Sequence, residues 1–374
     1  MDADENFVVP SLEASIGEHI DCIEGAIVVP PLKDDKNRSV QRSGVLYPDG
    51  RMVENAITWR GTSRVTLTPA MPKADEIKEL SGSYMFLGPL FGHFGHFLVE
   101  SICRIWAFDR LRNKLDGVLY VPKFQNRPEH VMNVYRPFLE ALGVTAPAAN
   151  LSDPTRVERL YVPRQGFGMF QMIEGAPEFR EFVRKHAGKS IAPKGAKKLY
   201  ISRSALPAER GSILREDLLE EHLAAEGYAI FHPQKHSHAD QIAAYRAARQ
   251  IVAIDCSPLH LLALVGDAGQ SVAVIARRNG DLDQIFARQI RSFQGASAFA
   301  FNFLKRNWIE KASTRPSRTS WGEIDFAGLY HGLYSAGFLM DATPWPTLRE
   351  TEVTAAIKEI ENSTGNEFRS FEDG

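Results

Sequence analysis

The stretch 197–276, KKLYISRSALPAERGSILREDLLEEHLAAEGYAIFHPQKHSHADQIAAYRAARQIVAIDCSPLHLLALVGDAGQSVAVIA, constrains the fold of this chain more than any other. Its short apolar runs at 197–202, 228–232, 251–254 and 271–275 lack the in-and-out alternation of a half-wetted strand. Such runs mark strands covered on both faces. Between them, 214–226 carries Leu214, Leu218, Leu219 and Leu223 at helical spacing and stops at Gly227. A second helix is predicted over 239–249, with Ile242, Ala243 and Ala247 on one face, and a short apolar one over 259–264. Strand and helix in alternation predict an α/β domain built on a parallel sheet. Ligands in such sheets bind outside the carboxyl ends of the strands. Ser202 and Arg203, His232, and Asp255-Cys256-Ser257 all fall at those ends, so a site is expected there.

The chain has 374 residues, enough for two domains. The basic stretch HAGKSIAPKGAK (186–197) places the expected boundary near residue 190. A formal charge of -2 gives no concentrated positive field of the kind nucleic acid requires. Cys22, Cys103 and Cys256 are too scattered for a disulfide framework or a zinc knuckle. The start, MDADENFVVP, lacks the basic and apolar regions of a signal peptide, and no apolar run approaches the length of a membrane span. The expected location is cytoplasmic, with the inner face of the membrane as a place of peripheral association.

The first half also alternates. After a β-rich entry and the turn Pro48-Asp49-Gly50, a partly wet strand is expected over 57–67, and the charged 33–38 stretch reads as loop. Residues 83–106, SYMFLGPLFGHFGHFLVESICRIW, read as a strand, a glycine-rich turn and a helix running from about 94–96 to 111. On that helix His93, His96, Glu100 and Arg104 share a face at steps of three and four. Glu100 can fix the tautomer of His96 from one turn away. The plainer reading is a helix entrance with capping or solvated histidines. Further strands are expected at 119–121 and 160–162, with a helix at 131–142 between them and a polar helix at 173–186. Towards the carboxyl end, 293–307 reads as a surface helix or loop. Residues 301–360 read as an aromatic-rich segment packing back on the domains, and 361–374 as a disordered tail.

Tyr200-Ile201-Ser202-Arg203, the Gly227-Tyr-Ala-Ile-Phe run, HADQIAAYRAARQIVAI and the histidine-bearing loop after it resemble the family 61 glycosyltransferases, which include bacterial capsular-polysaccharide biosynthesis proteins. Gly92-His93-Phe94-Gly95-His96-Phe97-Leu98-Val99-Glu100, followed by Arg104-Ile105, resembles that family's first-half element. The resemblance implies a GT-B-like fold of two Rossmann-like domains facing across a cleft. The first, 1–190, takes a saccharide or glycoconjugate acceptor, and the second, 191–300, takes a nucleotide-sugar donor, expected to be UDP-linked. It implies transfer with inversion, no cofactor and no tightly bound metal.

Residue by residue, His96 matches that family's first-domain histidine and Glu100 the acid after it; from the shared helix face His96 is the expected base, oriented by Glu100, with Glu100 itself second, and His93 and Arg104 are candidates for the acceptor side. Ser202 and Arg203 match the donor-diphosphate element, with Ser257 and His260 beside them; His232 and Asp255 are candidates for the nucleotide pocket. Arg203 can fork onto a diphosphate, and Pro258 can start a helix whose free N–H groups meet phosphate. His260, on an otherwise apolar helix, reads equally as a hydrogen-bonded core histidine. The chain departs from the family's Gly-x-His-Gly, reading Asp255-Cys256-Ser257-Pro258-Leu259-His260. That departure keeps open a non-catalytic nucleotide- or glycan-binding descendant. A metal-dependent phosphoester or nucleotide-sugar hydrolase is the other alternative.

Overall fold

The computed structural model describes residues 7–32 and 39–371; the charged 33–38 stretch, 1–6 and 372–374 lie outside the described residues. The chain divides into two compact units, Met1–Ser190 and Ile191–Gly374. No described helix is long and apolar enough to cross a membrane.

The first unit is built on a six-stranded mixed sheet. Its order is Gly44–Leu46, Ile20–Val29, Thr155–Pro163, Lys78–Leu90, Gly117–Pro122, Ala148–Asn150. The last four run parallel to their neighbours, and Ile20–Val29 closes the other side antiparallel to Thr155–Pro163. Ala26, Ile27, Val28, Phe86, Leu119, Val121, Val157, Leu160 and Val162 form the core of this sheet. Helix Pro128–Ala141 starts on a proline whose missing N–H costs nothing at a first turn, and it buries Met132, Tyr135, Phe138 and Leu139. Tyr135 stacks on Phe97 at 4.0 Å between ring centroids, and Phe138 meets Phe97 and Phe94 edge-on. Each such side chain contributes about 1.5–3 kcal/mol relative to exposure. This packing pins the segment after Gly92 to the body of the unit.

The 94–111 segment is not the single helix expected. A short turn at Phe94–His96 passes into a wide π turn at Phe97–Ser101, then into tight turns at Ile105–Ala107 and Phe108–Leu111. Ser101 accounts for part of the break: its hydroxyl donates to the Pro89 carbonyl and accepts from the Phe91 N–H. The extra residue in a π turn rotates everything after it by about 100° relative to an α-helical projection. Arg104 therefore leaves the face it was expected to share with His96 and Glu100. The expected strand at 57–67 is instead three two-residue strands: Trp59–Arg60 and Ser63–Arg64 form a hairpin whose turn begins at Gly61 with φ +60°, and Thr66–Leu67 pairs with Gln41–Arg42.

The second unit carries a five-stranded, all-parallel sheet in the order Ala229–Phe231, Lys198–Ile201, Gln250–Ile254, Ser271–Ile275, Ser297–Phe301. The chain steps outward from its first strand to Ala229–Phe231, then back to Gln250–Ile254 on the opposite side. Helices Glu216–Ala225, His238–Ala247, Pro258–Val265 and Leu282–Gln294 make the crossovers. Such a reversal opens a crevice at the carboxyl ends of the two strands that flank it. Ser237 caps His238–Ala247 by accepting from the Asp240 N–H. A three-stranded antiparallel sheet, Trp321–Ile324, Leu304–Glu310, Phe368–Phe371, joins the same core with helices Phe326–Ser335 and Glu350–Thr364.

Two expectations for this unit fail. Residues 293–307 are neither surface helix nor loop: they hold the end of Leu282–Gln294, the fifth parallel strand and the start of Leu304–Glu310. SAFAF alternates small and aromatic residues at period two, a strand pattern. The tail is not wholly disordered either. Helix Glu350–Thr364 ends at Gly365, in the left-handed region at φ +70°, and Phe368–Phe371 pairs with Leu304–Glu310. Backbone pairing and one buried side chain, Phe368, hold it.

Candidate functional sites

In the first unit the histidine segment assembles around a buried carboxylate. Glu100 has no exposed surface. Its Oε2 lies 2.5 Å from His96 Nδ1, and Arg60 grips it with a two-point fork, Nε to Oε1 at 2.9 Å and Nη2 to Oε2 at 3.0 Å. Burial alone raises a carboxyl pKa. Here hydrogen bonds from His96 and Arg60 outweigh that desolvation and hold Glu100 below the usual carboxylate range, so it is an anion at neutral pH. An anionic acceptor at Nδ1 requires the proton on that nitrogen and leaves the lone pair on Nε2. The His96 side chain is 36% exposed, so the rest of the ring is open to solvent. Phe91 stacks on the ring at 5.4 Å and His93, exposed at the head of the turn, meets it edge-on at 5.3 Å. Lys123 Nζ and the Arg60 guanidinium both lie over Phe91. Arg60 and Lys123 were not found from sequence, because they come to this site from other parts of the chain, Lys123 by way of Phe91.

Arg104 is not at this site. It is fully buried and donates to the carbonyls of Asn55, Ile57 and Pro163 at 2.8–3.0 Å, with longer contacts to Leu87 O and Thr58 Oγ1. Gly88, at φ +103°, leaves room for it: a Cβ there would lie 2.7 Å from Nη1. A guanidinium sealed among main-chain carbonyls cannot reach an acceptor.

In the second unit the expected residues gather at the carboxyl edge of the parallel sheet, in three kinds of environment. Ser202 is buried, and its hydroxyl bonds Glu216 and Glu220. Glu216, fully enclosed, is pushed up by burial, although Ser212, Ser202 and the Arg203 N–H all donate to it. Arg203 donates through Nη2 to the carbonyls of Arg210 and Gly211 at 2.9 Å, while its Nε is buried with no partner. Asp255, one residue past its strand, holds Arg277 through Nε at 2.9 Å and through the main-chain N–H at 3.1 Å. It is therefore engaged in a buried ion pair and is not open to a nucleotide. Arg277 is 4% exposed and its Nη1 also lacks a partner. Arg278 follows, with no hydrogen bond or ion pair among the described residues.

Strand register brings these cations together. Ile201 pairs with Ala253 and Ile254 with Ile275, so Arg203 and Arg277 flank the Asp255–Ser257 loop from the strands on either side. Burial and the charge of Arg277 lower the pKa of Arg203; burial, then Arg277, lowers that of Arg278, which also feels Arg203. The Asp255 carboxylate offsets part of this repulsion through its ion pair with Arg277. Ser257 stands at the start of Pro258–Val265, half-buried and without a side-chain cap bond. His260 lies elsewhere in function: it is 7% exposed, with Nδ1 2.7 Å from Gln289 Oε1 and its ring against Phe286, which is the core-histidine reading. His232, with Nε2 3.9 Å from Glu220 and a buried, unpartnered Nδ1, has its pKa lowered by burial. Cys256 has its thiol pushed up to about 12 by burial, which removes it as a nucleophile.

Residues 94–268 match the family model described as Glycosyltransferase 61. The span runs from the histidine turn to the end of Pro258–Val265, and takes in both Glu100 and Arg203. Arg60, Arg277 and Arg278 lie outside it. No curated protein matches the chain.

Proposed function

We propose, from the match of residues 94–268 to the Glycosyltransferase 61 model, that this chain is a sugar-transferring enzyme of that family. We propose that it moves a sugar from a nucleoside-diphosphate donor, UDP-linked, to a hydroxyl of a saccharide acceptor, with inversion, in capsular or surface polysaccharide synthesis. The observation that carries this reading is the set of desolvated arginines at the carboxyl edge of the second unit's sheet, with donor atoms left unpartnered. Arg203, Arg277 and Arg278 take the diphosphate, with the N-terminal turn of Pro258–Val265 beside them and Ser202 and Glu216 fixing the Arg203 loop. The first unit serves the acceptor. The acceptor hydroxyl gives its proton to His96 Nε2 as its oxygen bonds to the sugar's anomeric carbon. The bond from that carbon to the diphosphate breaks with its electron pair leaving on phosphate oxygen, where the arginines stabilise it. That cationic charge does the work a metal does in other transferases, so no metal is required by this scheme. A GT-B-like architecture and a cytoplasmic reaction, with peripheral membrane association, fit the same reading.

One observation favours a second reading. The 255–260 loop has no glycine, and its histidine is bonded to Gln289. A descendant that binds nucleotide without turnover would have these features. Calorimetry with UDP, GDP and dTDP, and turnover with the corresponding nucleotide sugars, test both. The expected results are binding of one diphosphate, at least tenfold weaker binding in Arg203→Ala, and loss of turnover with unchanged nucleotide affinity in His96→Ala. Binding without turnover supports the second reading, and no binding of any diphosphate overturns both.

A further inference from the structure

We propose that Arg60 is a positioning residue for His96, acting through Glu100, and that it makes a third member of one unit, Arg60–Glu100–His96. The inference rests on His96 as the base, and it assigns a role to a residue 34 positions before the family-matched span begins.

Three observations carry it. The first is geometry: Arg60 engages both oxygens of Glu100, while His96 engages only Oε2. A carboxylate held at one point swings about its side-chain torsions. Held by a fork it presents one oxygen in one direction. The second is how Arg60 is itself held. It sits at the end of the tight hairpin turned at Gly61, and the preceding Trp59 is clamped by buried Gln165, which accepts from the Trp59 N–H at 2.7 Å and donates to its carbonyl at 3.0 Å. The Arg60 guanidinium also rests on Phe91, which stacks on the His96 ring. The third is exclusion. Arg60 Nη2 lies 3.5 Å from His96 Nδ1, and a guanidinium carries only donors. Two donors do not bond, so Nη2 cannot supply Nδ1 with an acceptor. Glu100 Oε2 alone receives the Nδ1 proton, and Arg60 keeps that oxygen in place. The polar and charged groups around the ring are then Glu100, Arg60 and His93, with Lys123 beyond Phe91.

A role limited to charge neutralisation makes a different prediction, since lysine preserves charge and loses the fork. The test is Arg60→Lys and Arg60→Ala in the full chain. It has two readouts: the His96 tautomer from imidazole 15N shifts at pH 8, and release of nucleoside diphosphate from a panel of UDP-, GDP- and dTDP-sugars. In the wild type His96 is expected as the Nδ1-protonated tautomer. In Arg60→Lys the tautomers mix and kcat falls about 10- to 100-fold, the cost of a misplacement of about 1 Å, with KM little changed. Added guanidinium ion restores activity to Arg60→Ala. A wild-type tautomer in Arg60→Lys, whatever its turnover, overturns the proposal. Mixed tautomers at unchanged turnover uphold the positioning role and overturn His96 as the base, so the two readings fail separately. If Arg60→Ala does not fold, Arg60→Lys decides alone.

Discussion

Replacing Arg104 with methionine removes a guanidinium but keeps most of the side-chain volume. Arg104 bonds three main-chain carbonyls, of Asn55, Ile57 and Pro163, at 3.0 Å or less inside the first unit. Each buried acceptor left without a partner costs about 1–3 kcal/mol, which sums to about 3–9. Methionine returns part of that, because burying a charged guanidinium costs several kcal/mol that the variant no longer bears. The net expected loss is about 3–5 kcal/mol, the range seen when one member of a buried charged network is removed. Hydrogen exchange read by mass spectrometry localises it. Amides of Lys78–Leu90 and Thr155–Pro163 should exchange about two to four powers of ten faster, while those of Gln250–Ile254 keep wild-type rates. Arg104→Lys should fall between, because one ammonium replaces a fork that spans three carbonyls. Exchange within tenfold of wild type in Arg104→Met would refute the reasoning. A raised acceptor KM in Arg104→Lys at unchanged exchange would return this residue to the acceptor side.

Two further outcomes follow from the same structure. Glu100 has a folded pKa below its unfolded value, so its contribution to stability is full above about pH 4.5 and is lost as pH falls through the folded value. Glu100→Gln should flatten the acid side of a urea-midpoint profile between pH 3 and 6, and an unchanged acid slope would show that the carboxylate is not held as described. Thiol titration of the native protein with a disulfide reagent at pH 8 should count only Cys22 as fast, with Cys103 and Cys256 reacting after denaturation. A second fast thiol would contradict the pushed-up Cys256.

How far the sequence could be read follows the range of the interactions involved. The parallel sheet of the second unit was legible because each strand declares its burial locally, in runs such as QIVAI and SVAVI. Polar residues at strand ends followed, so Ser202, Arg203 and Asp255 were found at the right edge. Their partners were not. Asp255 reads as a pocket residue until Arg277, 22 positions later, is seen to occupy both its oxygens. The pair His96 and Glu100 lies one turn apart and was visible, whereas Arg60 reaches it from 40 positions away. The π turn at Phe97–Ser101 hid because period counting assumes 3.6 residues per turn throughout, and Arg104 was misplaced for that reason alone. His260 was left between two readings, since only Gln289 could decide it.

The three-stranded sheet has a consequence for the order in which this protein becomes itself. Gly322 bonds Ile213's neighbours, its N–H donating to Ser212 O and its carbonyl accepting from the Leu214 N–H. Its Cα also lies so close to Arg277 O that no side chain would fit. The backbone around Gly211 and Arg277, which aims two of the arginines, therefore leans on a strand made more than a hundred residues after Arg203. On a ribosome the parallel strands through Ile275 can pair as they emerge, whereas the bonds from Gly322 to Ser212 and Leu214 wait for Trp321–Ile324, and Phe368–Phe371 joins that sheet later still. On the proposed reading, the backbone that carries Arg203 and Arg277 gains its last supports only late in the life of the chain.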